Sequence, residues 1–297
     1  MNLLTLKDLD PYRINHLIDW AIKIKTNPKK YHDILEGKTL TMIFEKPSTR
    51  TRCSFETGMT QLGGHSIFLD WKVTHLGKAA LKDEIKSIER YSDIIMARVH
   101  KHNTLVEIAK YVSIPIINGL SEKYHPCQIL GDLQTIKEKK GEFEGLTIAY
   151  IGDGNNVCNS LIIGGSKMGI HVNVATPKGY EPSEEAVKIG GKNVNLGDDP
   201  KVASDDVDIV YTDTWISMGF EEEREKRMRD FKGFTVTKEI LGKALFMHCL
   251  PAYRGVEVTD EVMDSPQSII FDQAENRLHI QKAIVLWLMK MLPEMQR

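Results

Sequence analysis

Phe44-Glu45-Lys46-Pro47-Ser48-Thr49-Arg50-Thr51-Arg52-Cys53-Ser54-Phe55-Glu56 joins an apolar, β-favouring run at 39–44 to a segment that reads as a helix. Pro47 and Ser48 suit a helix start, because the proline ring presets φ and the hydroxyl can cap backbone donors. Two threonines and two arginines follow within the next four positions. A helix N-terminus presents N–H groups and a partial positive charge, so it favours an anion. Hydroxyls and guanidinium forks add donors suited to phosphate oxygens. Taken alone, the segment supports two readings: a phosphate cradle, and an ordinary capped helix with solvated arginines.

Outward from this stretch the pattern repeats. Strand-like runs are predicted at 39–44, 66–69, 93–97 and 114–117, with helix-compatible sequence between them. A second set is predicted at 146–151, 171–175, 208–212, 244–247 and 268–271. Asp10-Pro11 opens a first helix with Ile14, Leu17, Ile18, Ala21 and Ile24 on one face, and 274–291 closes the chain as another. Alternating strands and helices imply an α/β fold with parallel sheets covered on both faces. The expected division is two domains, 1–135 and 136–274, with 127–140 as a bridging helix and 275–297 returning to the first domain. The charge run Glu221 to Asp230 reads as a solvated helix, because Glu222/Lys226, Glu223/Arg227 and Glu225/Arg229 stand four apart.

At 297 residues, with 41% hydrophobic and 27% charged residues, the chain reads as a soluble globular protein too long for one typical core. A net charge of −2 argues against nucleic acid or an anionic membrane as the main partner. No secretory signal or membrane-spanning run is visible. Four scattered cysteines without a C-x-x-C pair fit free thiols in a cytoplasmic protein.

Ligands of open α/β sheets sit outside the carboxyl ends of the strands. Here Ser48–Arg52, Arg98, His125-Pro126-Cys127-Gln128, Gly152 to Asn156, Asp213 to Gly219 and His248-Cys249-Leu250-Pro251 each follow a predicted strand. An active site in a cleft between domains accounts for all of them. Gly152 to Asn156 is not G-x-G-x-x-G, so a dinucleotide site carries little weight against a polar turn. His125 and His248 beside Cys127 and Cys249 lack the spacing of a zinc site, so no metal and no cofactor are expected. Cys249 in a strand would face away from His248, leaving a nucleophilic thiol without a base.

Together these motifs resemble the ornithine carbamoyltransferases over essentially the full length. The matching segments are Ser48-Thr-Arg-Thr-Arg52, His125-Pro-Cys-Gln128, Asp213-Thr-Trp-Ile-Ser-Met-Gly219, His248-Cys-Leu-Pro251 and Ala274-Glu-Asn-Arg277. The first fits any carbamoyltransferase; the third and fourth are associated with ornithine. The resemblance implies a carbamoyl-phosphate domain, an ornithine domain, a role in arginine metabolism, and a homotrimer or higher assembly of trimers. It places Ser48, Thr49, Arg50, Thr51 and His75 on phosphate, with Arg98, His125, Gln128 and Arg277 around the carbamoyl group. It places Asp213, Cys249 and Leu250 at the reacting amine, and Asn156, Ser217 and Met218 at the α-groups of L-ornithine.

Two departures from the family pattern stand out. The loop after Leu76-Gly77 is one residue shorter and lacks the usual Glu-Ser pair, so Lys78 rivals His75 for the neighbouring subunit's phosphate. Gly131 stands where alanine is usual. Alternatives to the ornithine reaction are transfer to putrescine or acylated ornithine, and a silent anion-binding regulatory subunit.

Overall fold

A computed structural model gives the fold, and it describes residues 1–216 and 221–293. The chain divides into two compact units, Met1–Gln134 with Glu275–Arg297, and Thr135–Ala274. The elements of the first stretch are α1 (Pro11–Thr26), β1 (Thr39–Phe44), α2 (Thr49–Gln61), β2 (His65–Asp70), α3 (Leu81–Glu89), β3 (Ile94–Arg98), α4 (His102–Tyr111), β4 (Ile116–Leu120) and α5 (Pro126–Lys140). There follow β5 (Thr147–Ile151), α6 (Asn156–Lys167), β6 (His171–Ala175), α7 (Glu184–Gly190), β7 (Val194–Gly197), α8 (Pro200–Ala203) and β8 (Ile209–Thr212). The chain closes with α9 (Arg224–Asp230), α10 (Lys238–Leu241), β9 (Leu245–His248), α11 (Asp260–Met263) and α12 (Ile270–Leu288). Both division points fall inside helices, one in α5 and one in α12.

Each unit holds one parallel sheet, ordered β2-β1-β3-β4 in the first and β7-β6-β5-β8-β9 in the second. In both, the chain reverses direction across the sheet beside a central strand, and this leaves a crevice at the strand carboxyl ends. The inner strands are apolar because helices cover both faces. Ile94, Ile95, Met96 and Ala97 of β3 are wholly buried, as are Ile148, Ala149, Tyr150 and Ile151 of β5. Truncating one such residue, Ile95→Ala for instance, costs about 2–5 kcal/mol.

Local chemistry sets where helices begin. Asp10 caps α1 by accepting from the Arg13 N–H at 2.7 Å, with Pro11 at the first position. Ile14, Leu17, Ile18, Ala21 and Ile24 are all buried, as their spacing predicts. Among the described residues, no helix is long and apolar enough to cross a membrane.

Several expectations are corrected. Residues 268–271 do not form a strand: Ser268 makes one isolated bridge to Phe246, and α12 begins at Ile270. Phe271 is exposed, a position that a buried parallel strand would not give it. β4 starts two residues later than expected, because Pro115 has no N–H for the ladder and only its carbonyl pairs, accepting from the Ile95 N–H at 3.0 Å. β7 was not foreseen; it is a short edge strand with Leu196 half exposed, and lacks an apolar signature. The 221–230 charge run is not wholly solvated, since Arg227 is 5% exposed.

Candidate functional site

In the first unit, the ends of β1, β3 and β4 are neighbours. Phe44 at the end of β1 lies opposite Arg98 at the end of β3, and the Glu45 N–H donates to the Arg98 carbonyl at 2.8 Å. The loop after β1 leads to Ser48, whose Oγ accepts from the Thr51 N–H at 3.3 Å and caps α2. Thr51 is buried and Arg50 half-buried. Arg52 is committed elsewhere: its guanidinium lies 3.8 Å from the centre of the Phe68 ring, and its Nε donates to Glu56 at 2.9 Å. Ser48 and Thr49 also border a hollow of about 500 Å³ shared with Phe44, Phe68 and Asp70.

His125 immediately precedes α5, and Gln128 lies one turn on with its N–H donating to the His125 carbonyl at 3.1 Å. Burial, then the nearby Arg277 and Arg98 cations, hold the His125 imidazole well below its ordinary pKa. It is therefore neutral at physiological pH, a hydrogen-bonding group set among positive charges. Arg277 of α12 reaches Gln128, with its Nη1 donating to the Gln128 Oε1. Gly131 permits this approach, because a Cβ there would stand 3.2 Å from the Arg277 Cδ. Arg98, His125, Gln128 and Arg277 are each at most 5% exposed. Cys127 is a packing residue: burial pushes its thiol up to about 12. His75 lies in an exposed turn whose Lys78 and Ala79 N–H groups donate to its carbonyl at 2.9 and 3.0 Å.

In the second unit, the ends of β5, β8 and β9 are neighbours and carry the other cluster. Asp213, buried just beyond β8, accepts from Asn155 Nδ2 at 2.8 Å, from the Cys249 thiol at 3.0 Å and from the Thr214 N–H at 2.8 Å. Asn155 is a residue that the sequence reading missed in favour of its neighbour. It caps α6, its Oδ1 accepting from the Val157 and Cys158 N–H groups at 2.8 and 3.2 Å, and this turns its amide nitrogen to Asp213. The pairing of an asparagine at the cap position with an expected carboxylate was the available signal. Asn156 opens α6, half-buried, its carbonyl accepting from Ser160 Oγ at 2.8 Å.

His248 organises the turn after β9. Its Nδ1 accepts from the Leu250 N–H at 2.9 Å, so Nε2 carries the proton and donates to Glu257 at 3.2 Å. Leu250 adopts a left-handed φ of 57°, uncommon for a branched side chain and held here by that ring contact. Donor atoms of Asp213, His248 and Cys249 lie within 4.8 Å of one another. Both imidazole nitrogens are engaged, so His248 offers no lone pair to an ion in this arrangement.

Arg227 of α9 is the other missed residue. Its Nη1 donates to Asp153 at 2.8 Å and to the Trp215 carbonyl at 2.8 Å, and its Nε donates to Glu223 at 3.0 Å. It thus ties the loop after β5 to the loop after β8. Burial pushes the Asp153 carboxyl up to about 6, against the opposing pull of Arg227. The expected ligands Ser217 and Met218 lie outside the described residues.

Known proteins are similar to this chain in sequence and in fold. Residues 1–138 match the family described as aspartate/ornithine carbamoyltransferase, carbamoyl-P binding domain, and residues 144–288 match its Asp/Orn binding domain. The ornithine carbamoyltransferase of Methanosarcina acetivorans is 50% identical over 300 residues, covering 97% of this chain and 99% of that protein. The solved ornithine carbamoyltransferase of Pyrococcus furiosus superposes with a TM-score of 0.94 at 47% identity, over 98% of each chain. That of Thermus thermophilus gives 0.90 at 42% identity, over 97% of this chain and 98% of its own.

Proposed function

The chain belongs to the aspartate/ornithine carbamoyltransferase family, and from that premise we propose that it transfers the carbamoyl group of carbamoyl phosphate to the δ-amine of L-ornithine, giving L-citrulline and phosphate. The observation that carries the reading is the buried set Arg98, His125, Gln128 and Arg277 at the carboxyl ends of the first sheet.

Carbamoyl phosphate has a dianionic leaving group and a carbonyl that becomes an oxyanion under amine attack. Ser48, Thr49, Arg50 and Thr51 take the phosphate, using the N-terminus of α2 and its hydroxyls. Arg98 bridges phosphate and carbonyl, and neutral His125 donates to the same carbonyl oxygen. Both strengthen as negative charge grows there. Gln128 accepts from the carbamoyl NH₂, and Arg277 holds the Gln128 carbonyl through Nη1 while adding its positive charge to the site. The amine nitrogen forms the new C–N bond, the C–O bond to phosphate breaks, and the amine proton leaves with phosphate as its acceptor. Asp213, fixed by Asn155 and Cys249, orients the amine, as does the Leu250 carbonyl. A carboxylate alone would favour the protonated amine, so the attack needs the fraction of ornithine whose δ-amine is neutral. Asn156, Ser217 and Met218 are assigned to the α-amino and α-carboxylate groups.

The test is citrulline formation from carbamoyl phosphate and ornithine without added metal or nucleotide. A folded protein that makes none at saturating substrates would end the proposal, and would leave the silent regulatory subunit. Comparing kcat/KM for ornithine, putrescine and N-acetylornithine identifies the acceptor; ornithine is expected to lead. We place the protein in the cytoplasm as a homotrimer, with His75 or Lys78 reaching a neighbouring phosphate site. The four free thiols support that compartment. Light scattering reads the assembly, and His75→Ala against Lys78→Ala reads the contact through KM for carbamoyl phosphate.

A further inference from the structure

Asp132 lies one turn beyond Gln128 on α5 and is wholly buried. The Gln128 Nε2 donates to its Oδ1 at 2.8 Å, while the Gln128 Oε1 accepts from Arg277. A primary amide keeps its shape when turned end for end, so packing alone does not choose its sense. Here the chemistry on either side does. Turned over, the amide nitrogen would face a guanidinium that only donates, and the amide oxygen would face a carboxylate that accepts.

We propose that Asp132 is a specificity-determining positioning residue, one that locks Gln128 with its carbonyl oxygen toward the carbamoyl group. This rests on the carbamoyl-transfer reading above. Carbamoyl phosphate and acetyl phosphate have nearly the same size and charge; the first has an NH₂ where the second has a methyl. Only an acceptor tells them apart. The guanidiniums of Arg98 and Arg277 are donors only. Gln128 Oε1 keeps a second lone pair beyond the one directed to Arg277, and that lone pair can receive the substrate N–H. A site built to pair a substrate NH rejects an analogue lacking it, because its buried acceptor is then left unpaired. Asp132 never touches the substrate in this scheme; it acts through the sense of the amide.

The experiment compares wild type, Asp132→Asn and Asp132→Leu. KM for carbamoyl phosphate is read from citrulline formation, and Ki for acetyl phosphate from competition against it. In Asp132→Leu, KM for carbamoyl phosphate is expected to rise by about 10-fold or more while the acetyl phosphate Ki changes little. Asp132→Asn, whose own amide can still present an oxygen to Gln128, should fall between. Parallel weakening of both anions in the folded variants would overturn the proposal, because it signals a general loss of charge or shape. So would an unchanged ratio of the two constants. If Asp132→Leu does not fold, as read by circular dichroism, the ratio in Asp132→Asn decides alone. A wild type that makes no citrulline would defeat the underlying reading, whereas an active wild type with an unchanged ratio in the variants defeats Asp132 only.

Discussion

In the first unit the ends of β1, β3 and β4 gather Arg98 and His125, joined by Arg277 from α12; in the second the ends of β5, β8 and β9 gather Asp213, Asn155 and Cys249. The backbone arrangement is the same in both: adjacent parallel strands, a loop at each end, and a capped helix beginning nearby. The charge is opposite. One cluster is cationic and keeps its histidine neutral; the other is centred on a carboxylate that collects hydrogen-bond donors. A parallel sheet thus supplies position and helix N-termini, and the sign of the preferred ligand charge comes from a few side chains placed there. The first cluster suits a growing negative charge, the second an amine.

The sharpest way to break this contrast is to remove a cation from the first cluster. Arg98→Ala is expected to lower kcat/KM by about 10²–10³-fold, the cost of losing an oxyanion donor. Initial rates paired with a thermal melt decide the matter, since a loss that merely tracks unfolding would remove Arg98 from the chemistry. On the other side, Asp213→Asn should lower kcat/KM for ornithine by about 10–100-fold, the scale of one charge-assisted hydrogen bond. Calorimetric titration should show carbamoyl phosphate binding unchanged.

Smaller effects sharpen the picture. Asp153, faced by Arg227, Asp213 and Glu223, is pushed up to about 6. Its folded form holds a proton more tightly than the unfolded chain does, so acid favours folding at this group between about pH 4 and pH 6. The same proton weakens its ion pair with Arg227. In thermal melts, the contribution of this group to stability should rise as pH falls from about 6 to about 4. Asp153→Asn should flatten that rise. His125 has the reverse sign. Its folded pKa is depressed, so its contribution to stability is constant above the ordinary histidine value and diminishes as pH falls below about 6.5. Arg277→Met should raise the His125 pKa, as read by NMR of the ring, while leaving it below the ordinary histidine value, because burial is the larger cause of the depression. Gly131→Ala, whose methyl would press on Arg277, should cost no more than about 1–3 kcal/mol in a melt.

Much of this was legible in the sequence because the signals were local. The Asp10-Pro11 and Ser48 caps, the apolar runs of the inner strands and the strand-end motifs all act within a few residues. The misses share a cause, which is that their meaning is tertiary. Arg227 reads as one of several arginines in a charge run, and only the fold brings Asp153, 74 positions earlier, to it. Asn155 and Asn156 are adjacent and chemically alike, and the position of the α6 cap decides which of them turns its amide to Asp213. Residues 268–271 have strand-like composition, yet Phe271 is exposed and 270–288 run on as one helix that buries Gln273, Asn276 and Arg277 as well as Ile280 and Ile284. Asp132 gives no signal at all in a one-dimensional reading, because what it does depends on the orientation of another side chain.

The two units part company within α5 and α12, not in loops. Anyone dissecting the protein by expressing either half alone would therefore cut two hydrogen-bonded ladders in mid-turn, exposing raw carbonyl and amide ends. Cuts made instead at Gly141, just after α5, and in the segment preceding Ile270 would give each fragment whole helices, and are where such a dissection should begin.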